Sequence, residues 1–324
     1  MKKRILAMAF LALSGSVWAQ ADADFPTRPI KLIAPYAPGG SADVLARTLA
    51  SYLSAELKQS VVVENKPGAN TMIAASAVAR SPADGYTLLL ASNASMVLNP
   101  LLYKKLSYNP DKELKLINIL AEAPLVLVTN SQTKINSIAD LKSYAKLNQG
   151  KLNYSSIGLG NPLQLTTELI KSRLQVDATH IPFNGSAPAL TALMSNDTQL
   201  MVDVISTSLP HIKSGKLVAI ATTGPERSQF LPDTPTIAES GFPGFRASTW
   251  FGVATPAATP DGVKKQLQAA VEKVMQKPEF VSVLGNQYLV AQKPQPQAQL
   301  DAFLASDGKM WRQVITDNKI ALEN

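Results

Sequence analysis

The stretch Ile30–Leu53, IKLIAPYAPGGSADVLARTLASYL, constrains the rest of the chain most. Ile30, Leu32, Ile33 and Ala34 make a short apolar run of strand length. Pro35 and Pro38 stiffen the turn after it, and Gly39-Gly40 lets the backbone approach a guest closely. From Ser41 the period changes: Leu45, Leu49 and Leu53 recur every four residues and give a helix one apolar face. The first amide hydrogens of a helix lack internal partners and carry the positive end of the peptide dipoles. A glycine turn that opens onto them can therefore hold a carboxylate or a phosphate. The same residues also suit an ordinary strand-to-helix connection.

The 324 residues suffice for one large or two medium domains, and 46% hydrophobic with 17% charged residues is the composition of a folded α/β chain. The net charge of +7 is inflated by the N-terminus. Lys2, Lys3 and Arg4 precede an apolar run from Ile5 to Leu13 and a small-x-small site ending at Ala19, so residues 1–19 read as a cleaved secretory leader. The run is too short to span a bilayer. Without it, 28 basic residues face 24 acidic ones, a net charge of +4 that argues against nucleic acid as a partner. There is no cysteine, so an exported chain of this kind is held by its core and carries no lipid on an N-terminal cysteine. The expected location is the periplasm.

Periodicity predicts strands at 61–63, 86–91, 125–129, 152–155, 176–182, 200–204, 217–222 and 250–255. Helices are expected at 71–79, 137–147, 162–174, 187–194, 263–274 and 298–317. Ser137 and Asp140 form a Ser-x-x-Asp helix start. The first series reads as a mostly parallel sheet, with Ser92-Asn93-Ala94-Ser95 a polar loop at a strand end and 99–115 irregular. Ligands of such sheets sit beyond the carboxyl ends of the strands, which makes 36–41 and 92–95 neighbours. A second α/β series carries the glycine loop Ser156–Asn161 and the turn Phe183–Ser186; no internal sequence repeat is detectable.

Catalytic signatures are scarce. Thiol nucleophiles and thiolate metal sites are excluded, and no H-E-x-x-H, phosphate-binding loop or G-x-S-x-G elbow occurs. Gly158-Leu159-Gly160 lacks the third glycine of a dinucleotide fingerprint. His180 and His211 read as structural, Asp43 as a first-turn carboxylate that suits the dipole, and Asp203 as a group that orders a neighbouring loop. A hydrolase built from a serine and one of the histidines is a remote alternative. No metal or cofactor is expected.

Several stretches together, YAPGGSADVLAR, VVVENKPGA, SPADGYTLLLASN, GKLNYSS, FNGSAPALTALM, SLPHIKSGKLVAIATTGPERS, LPDTPTIAESGFPGF and WFGVATPA, occur in an order that resembles one family. It is that of the extracytoplasmic solute receptors of tripartite tricarboxylate transporters, often called Bug receptors, and the likeness spans roughly Phe25 to Gln313. The resemblance implies a type II periplasmic binding protein, two α/β lobes with a hinge and an interlobe ligand cleft. It divides the chain into a first lobe of 24–123 and 250–324 and a second of 124–249. It also implies that the turns Tyr36–Asp43 and Phe183–Ala187 grip one carboxylate from opposite lobes, mainly through backbone amides and water. The ligand-contacting set it suggests is Tyr36, Gly39, Gly40, Ser41, Asp43, Ser92 and Asn93 in the first lobe. In the second it is Ser155, Ser156, Ile157, Gly158, Asn161, Phe183, Asn184, Gly185, Ser186, Ala187, Asp203 and Val204.

Departures from the family pattern matter too. The family commonly has S-S-G-x-G-T-x-x-H where this chain has Ser156 to Gln164, often Asp-Asn at Asp203-Val204, and commonly lysine at Asn184. Ile157 and Val204 thus make the far end of the site less polar, unless they face a lobe core. The expected function is a monomeric, non-catalytic periplasmic receptor that delivers an organic acid, aromatic or otherwise partly apolar, to membrane permease subunits. An alternative is a sensor subunit that presents its closed form to a signalling partner. Intact-mass measurement of periplasmic protein is expected to give a chain that begins near Gln20; full-length protein confined to the cytoplasm would contradict the leader.

Overall fold

The computed structural model describes residues 25–318 and 320, so the leader read at 1–19 lies outside the described residues. In chain order the first elements are β1 (Ile30–Ala34), α1 (Ser41–Leu57), β2 (Val61–Asn65), α2 (Met72–Ala79), β3 (Thr87–Ser92), a π-helical turn (Ala94–Leu98), α3 (Asn99–Leu102), α4 (Pro110–Glu113) and β4 (Leu114–Ala123). Next come β5 (Leu125–Asn130), α5 (Ile138–Leu147), β6 (Asn153–Ser156), α6 (Pro162–Leu174), β7 (Thr179–Pro182), α7 (Ser186–Met194), β8 (Leu200–Val204), α8 (Ile205–Lys213) and β9 (Leu217–Thr222). The chain ends with β10 (Thr249–Pro256), α9 (Asp261–Met275), α10 (Pro278–Asn286), β11 (Val290–Ala291) and α11 (Gln297–Asp317).

Two sheets result, one ordered β11-β4-β10-β3-β1-β2 and the other β7-β6-β8-β5-β9. Each contains a parallel trio, β2-β1-β3 and β7-β6-β8, and each trio continues into an antiparallel strand. The expected mostly parallel sheets are therefore mixed. The antiparallel strand arrives by a crossing of the chain: β5 follows β4 of the other sheet across Pro124, and β10 enters the first sheet after the long irregular segment beyond β9. The two sheets thus share one topology without a shared sequence repeat.

Why the residues form these elements is plain for the parallel trios. In β1 only Lys31 is exposed, as suits a strand with paired neighbours on both sides and covered faces. Leu45, Leu49 and Leu53 of α1 are fully buried, as their spacing predicts. Ser137 caps α5 by accepting the Asp140 amide at 3.1 Å. β4 is not legible in the sequence because its pattern, LKLINILAEA, is interrupted by Asn118, which is buried with its Oδ1 accepting the Ile119 amide. On the paired strand, Gly252 of β10, opposite Ile119, sits where a Cβ would meet the Asn118 main-chain O at 2.5 Å, so glycine is required for the two strands to approach. The helices α8 and α10 and the short β11 are likewise additions to the sequence-based expectation. Residues 99–115, expected to be irregular, contain α3 and α4. The expected polar loop 92–95 is instead the end of β3 and the start of the buried π-helical turn.

One buried cluster runs through both halves, with Ile33, Leu89 and Leu116 from the first sheet and Leu127, Tyr154 and Leu200 from the second. Trp250 and Trp311 belong to it and are almost wholly buried. Trp250 Nε1 donates to Asp307 Oδ2 at 3.1 Å, tying β10 to α11 just beyond the crossing. Burial pushes the Asp307 carboxyl above its ordinary range against the pull of the Trp250 indole and Arg246, and burial raises Glu122 nearby in the same sense. A raised folded-state value means that the stability Asp307 contributes is present below the ordinary carboxylate range and is lost as pH rises through the folded value. Wild type should therefore lose melting temperature relative to Asp307→Asn as pH is raised from about 4 to about 7. A gap independent of pH, read by thermal melts of both proteins in matched buffers, would contradict this.

Candidate functional site

The carboxyl ends of both parallel trios lead into helix N-termini. At the end of β1, the turn 35–40 brings Gly39 to φ +86 and Gly40 to the N-cap of α1. Gly40 has no side chain to fold back on the first amides of α1, so they carry no side-chain cap. The turn itself is fixed by Asp43. Its Oδ2 accepts the Gly39 amide at 3.0 Å and Arg47 Nε at 3.0 Å, while its Oδ1 accepts Asn65 Nδ2 at 2.8 Å. Asn65 Nδ2 also donates to Tyr36 O at 3.0 Å. Burial would raise the Asp43 carboxyl, but the Arg47, Gly39 and Asn65 donors outweigh it and hold it below its ordinary range. Both Asp43 oxygens are occupied inside the turn, so this residue shapes the loop. Sequence reading singles out neither Arg47 nor Asn65; the one available signal is that Asn65 gives an apolar strand a polar end.

Tyr36 stands half-buried on the same turn, edge-on to Phe251 at 5.9 Å between ring centroids, and its hydroxyl donates to Ser92 Oγ at 3.0 Å. Burial pushes the Tyr36 hydroxyl up to about 12, so it is a neutral donor. Ser92 and Asn93 are fully buried. Asn93 faces the crossing, giving Nδ2 to Ser248 O at 3.2 Å and accepting Thr249 Oγ1 at 2.9 Å. The structure thus brings Tyr36 and Ser92 together and ties Asn93 to the chain crossing.

In the second sheet the equivalent turn precedes α7. Gly185 is its N-cap at φ +115, again without a side-chain cap, and Ser186 Oγ donates to Asp203 Oδ1 at 3.0 Å. Asp203 Oδ2 accepts Thr207 Oγ1 at 2.5 Å and Ser208 Oγ at 2.8 Å. Burial pushes Asp203 above its ordinary range, while the Thr207, Ser208 and Ser186 hydroxyls pull it back. Asp203 orders the turn before α7, as its sequence position suggested. Phe183 donates its amide to Ser156 O at 2.9 Å, while Asn184 and Ala187 are exposed. Ile157 is half-buried against two core clusters, and Val204, also half-buried, packs on clusters of both sheets.

The glycine loop after β6 is internally braced. Asn161 caps α6 by accepting the Leu163 amide at 2.9 Å, and Gln164 Oε1 accepts the Gly160 amide at 2.6 Å. Ser155 is buried, and no hydrogen bond of its Oγ is present among the described residues. Ser156 Oγ lies 2.6 Å from His180 Nε2, the pairing a hydrolase would need. The surrounding partners give it the opposite polarity. Ser156 gives its proton to Gly158 O at 3.1 Å, so His180 Nε2 is the donor, and His180 Nδ1 faces the Gln164 amide nitrogen at 3.4 Å as an acceptor. Burial lowers His180 below its ordinary value, consistent with a neutral ring. The ring also stacks on Tyr154 at 4.7 Å. The pair braces a loop and is not arranged as nucleophile and base.

Known proteins of the same kind put this geometry in context. A family model described as tripartite tricarboxylate transporter family receptor matches residues 45–320. Protein BugT of Bordetella pertussis is 35% identical over 324 residues, covering 99% of either chain. A solved R. palustris protein with adipate is 32% identical with a TM-score of 0.86, covering 93% of this chain and 100% of that one. MatC from Rhodopseudomonas palustris with bound malate is 30% identical with a TM-score of 0.81, covering 90% of this chain and 100% of that one. The two glycine-capped helix starts therefore sit in the two-lobed fold of a receptor, and this chain belongs to the tripartite tricarboxylate transporter receptor family.

Proposed function

We propose that this protein captures a small organic carboxylate between its lobes in the periplasm and delivers it to the permease subunits of a tripartite tricarboxylate transporter. The observation that carries the reading is the pair of helix N-termini, α1 behind Gly40 and α7 behind Gly185, each at the carboxyl end of a parallel trio and each without a side-chain cap. Amide donors there suit an anion, and their alignment needs no buried arginine. That similar proteins were solved with adipate and with malate agrees with a carboxylate guest. In this reading the lobes are 24–123 with 250–324 and 124–249, the export signal is 1–19, and the receptor acts as a monomer. The carboxylate meets Gly39, Gly40, Ser41, Gly185, Ser186 and Ala187, with Tyr36, Ser92 and Phe183 beside it. Asp43 and Asp203 act on it only through the turns they hold.

The turn behind α1 offers a clean test. Gly40 lies at φ −80, which any residue adopts, and a Cβ there would meet only Ala37 O at 3.9 Å. Gly40→Val should therefore fold, at a stability cost of about 1 kcal/mol or less. It should also weaken every bound acid by at least about a hundredfold, because the branched side chain displaces two charge-assisted amide contacts. Calorimetry beside a thermal melt reads both; wild-type affinity in the variant would place the guest elsewhere.

Ile157 and Val204 set the expected ligand class. An apolar wall leaves a second polar group of the ligand unpaired at a cost of about 1–3 kcal/mol, and more for a charged one. The same wall gains about 25 cal/mol per Å² on covering an alkyl chain or a ring. Aromatic and longer-chain acids should then bind better than aspartate or citrate in a calorimetric panel, and Val204→Asn should narrow the difference. Tight binding of a short polar dicarboxylate by wild type, unimproved by the substitution, would mean that both residues serve only the cores they touch.

A further inference from the structure

Residues 68–71 adopt a backbone that little in the fold requires. Gly68 has φ +122, and the three residues after it, Ala69, Asn70 and Thr71, have φ +46, +45 and +74. Three successive non-glycine residues in this region are sterically disfavoured, and for the β-branched Thr71 the conformation is an outlier. Such a run persists only where its surroundings over-determine it. Here buried Asn99 does so: its Nδ2 donates to Asn70 O at 2.8 Å and lies 3.4 Å from Thr71 Oγ1, and its Oδ1 accepts Asn70 Nδ2 at 2.9 Å. Asn99 is held in turn by Tyr108, whose hydroxyl donates to Ser95 O at 2.6 Å in the π-helical turn.

What this arrangement presents is the Asn70 amide. Besides Asn99, its Nδ2 donates to Gly160 O at 2.9 Å, ninety positions away in the braced loop after β6 of the other sheet. The acceptor is held as firmly as the donor, because the Gly160 amide is bound to Gln164 and Ser156 and Gly158 bond each other. A side chain held in a disfavoured backbone on one lobe thus meets a braced carbonyl on the other.

We infer that Asn70 is a positioning residue that fastens the two lobes together, fixing the glycine loop of the second lobe over the cleft. It acts through Gly160 and needs no contact with the ligand. Lobe closure can be observed in ligand-free protein, so its test stands apart from the carboxylate reading. Asparagine suits the role because it tolerates φ > 0 while offering two amide hydrogens, one for each acceptor.

The chain has no cysteine, so labels can be placed at will. Val62→Cys and Leu147→Cys, both at exposed positions of opposite lobes, would carry a spin or fluorophore pair for distance distributions of ligand-free protein. The parent is expected to show a short-distance population. Asn70→Gly, which keeps the backbone conformation available and removes the donor, should reduce its ratio to the long-distance population about three- to tenfold. Asn70→Asp, which sets a carboxylate against the Gly160 carbonyl, should reduce it further. A melting temperature lowered by Asn70→Gly with an unchanged distance distribution would show a local role only and overturn the inference. So would a parent with no short-distance population.

Discussion

Each sheet of this receptor is completed by an antiparallel strand that enters it across a crossing of the chain, and the rest of the structure depends on that exchange. β10, all eight of whose residues are buried, pairs with β4 over its whole length and with β3 over four residues, and β5 pairs with β8 and β9. A strand held on both edges cannot slip without moving its side chains to the wrong face, so the two exchanged strands are fixed in register. Pro124 sits at one, and its carbonyl accepts the Ile205 amide at 3.0 Å; at the other, Asn93 holds Ser248 and Thr249. Both crossings therefore adjoin the ends of β3 and β8, the same strand ends that shape the candidate site.

The two lobes meet a common requirement in different ways. In each turn a buried carboxylate supplies the bonds that hold the loop, and in the first turn it takes the Gly39 amide itself. In the first lobe that group is Asp43, kept charged by Arg47 and two amides; in the second it is Asp203, whose partners are three hydroxyls and whose burial favours the protonated form. Both carboxylates face inward. Gly39 and Gly185 in these turns take backbone conformations with φ > 0, which only glycine adopts without strain.

Much of this was legible in the sequence where local pattern and tertiary role coincide. The strand-turn-helix unit at 30–53, the helix at 162–174 and the Ser137 cap follow from spacing and capping chemistry alone. The proposed carboxylate role of the Gly39–Gly40 turn could only be posed there as one of two alternatives, and family resemblance suggested a matching turn at Gly185. The elements that sequence reading missed depend on partners distant in the chain. β4 was hidden by Asn118, a polar residue buried in the middle of the strand with only the adjacent Ile119 amide bonded to its Oδ1. Ser92 to Ser95 look like a solvent loop because serine and asparagine are usually exposed; they are buried because Tyr36, Tyr108 and the crossing satisfy them. Asn70 carried no signal, since nothing in KPGAN announces a residue held at φ +45 by a buried asparagine twenty-nine positions on.

If the site is made of main-chain amides, as proposed, magnitudes explain why such remote residues would matter to it. A helix N-terminus stabilises an anion by about 0.3–1 kcal/mol at an exposed surface and by up to about 2 kcal/mol when partly buried. One such terminus corresponds to an affinity weaker than millimolar, because about 4 kcal/mol is needed to reach that level. Two termini acting together on a desolvated carboxylate, each adding charge-assisted hydrogen bonds of about 1.5–3 kcal/mol, are enough, but only while both lobes are in place. On the proposed reading neither lobe alone would hold the ligand, and the free energy of closure would enter the apparent affinity directly. A single interlobe hydrogen bond of about 1 kcal/mol is negligible beside the stability of either core, yet it is comparable to a whole helix terminus at the site. For a receptor that grips through backbone, affinity is therefore set as much by what holds the lobes as by what touches the guest.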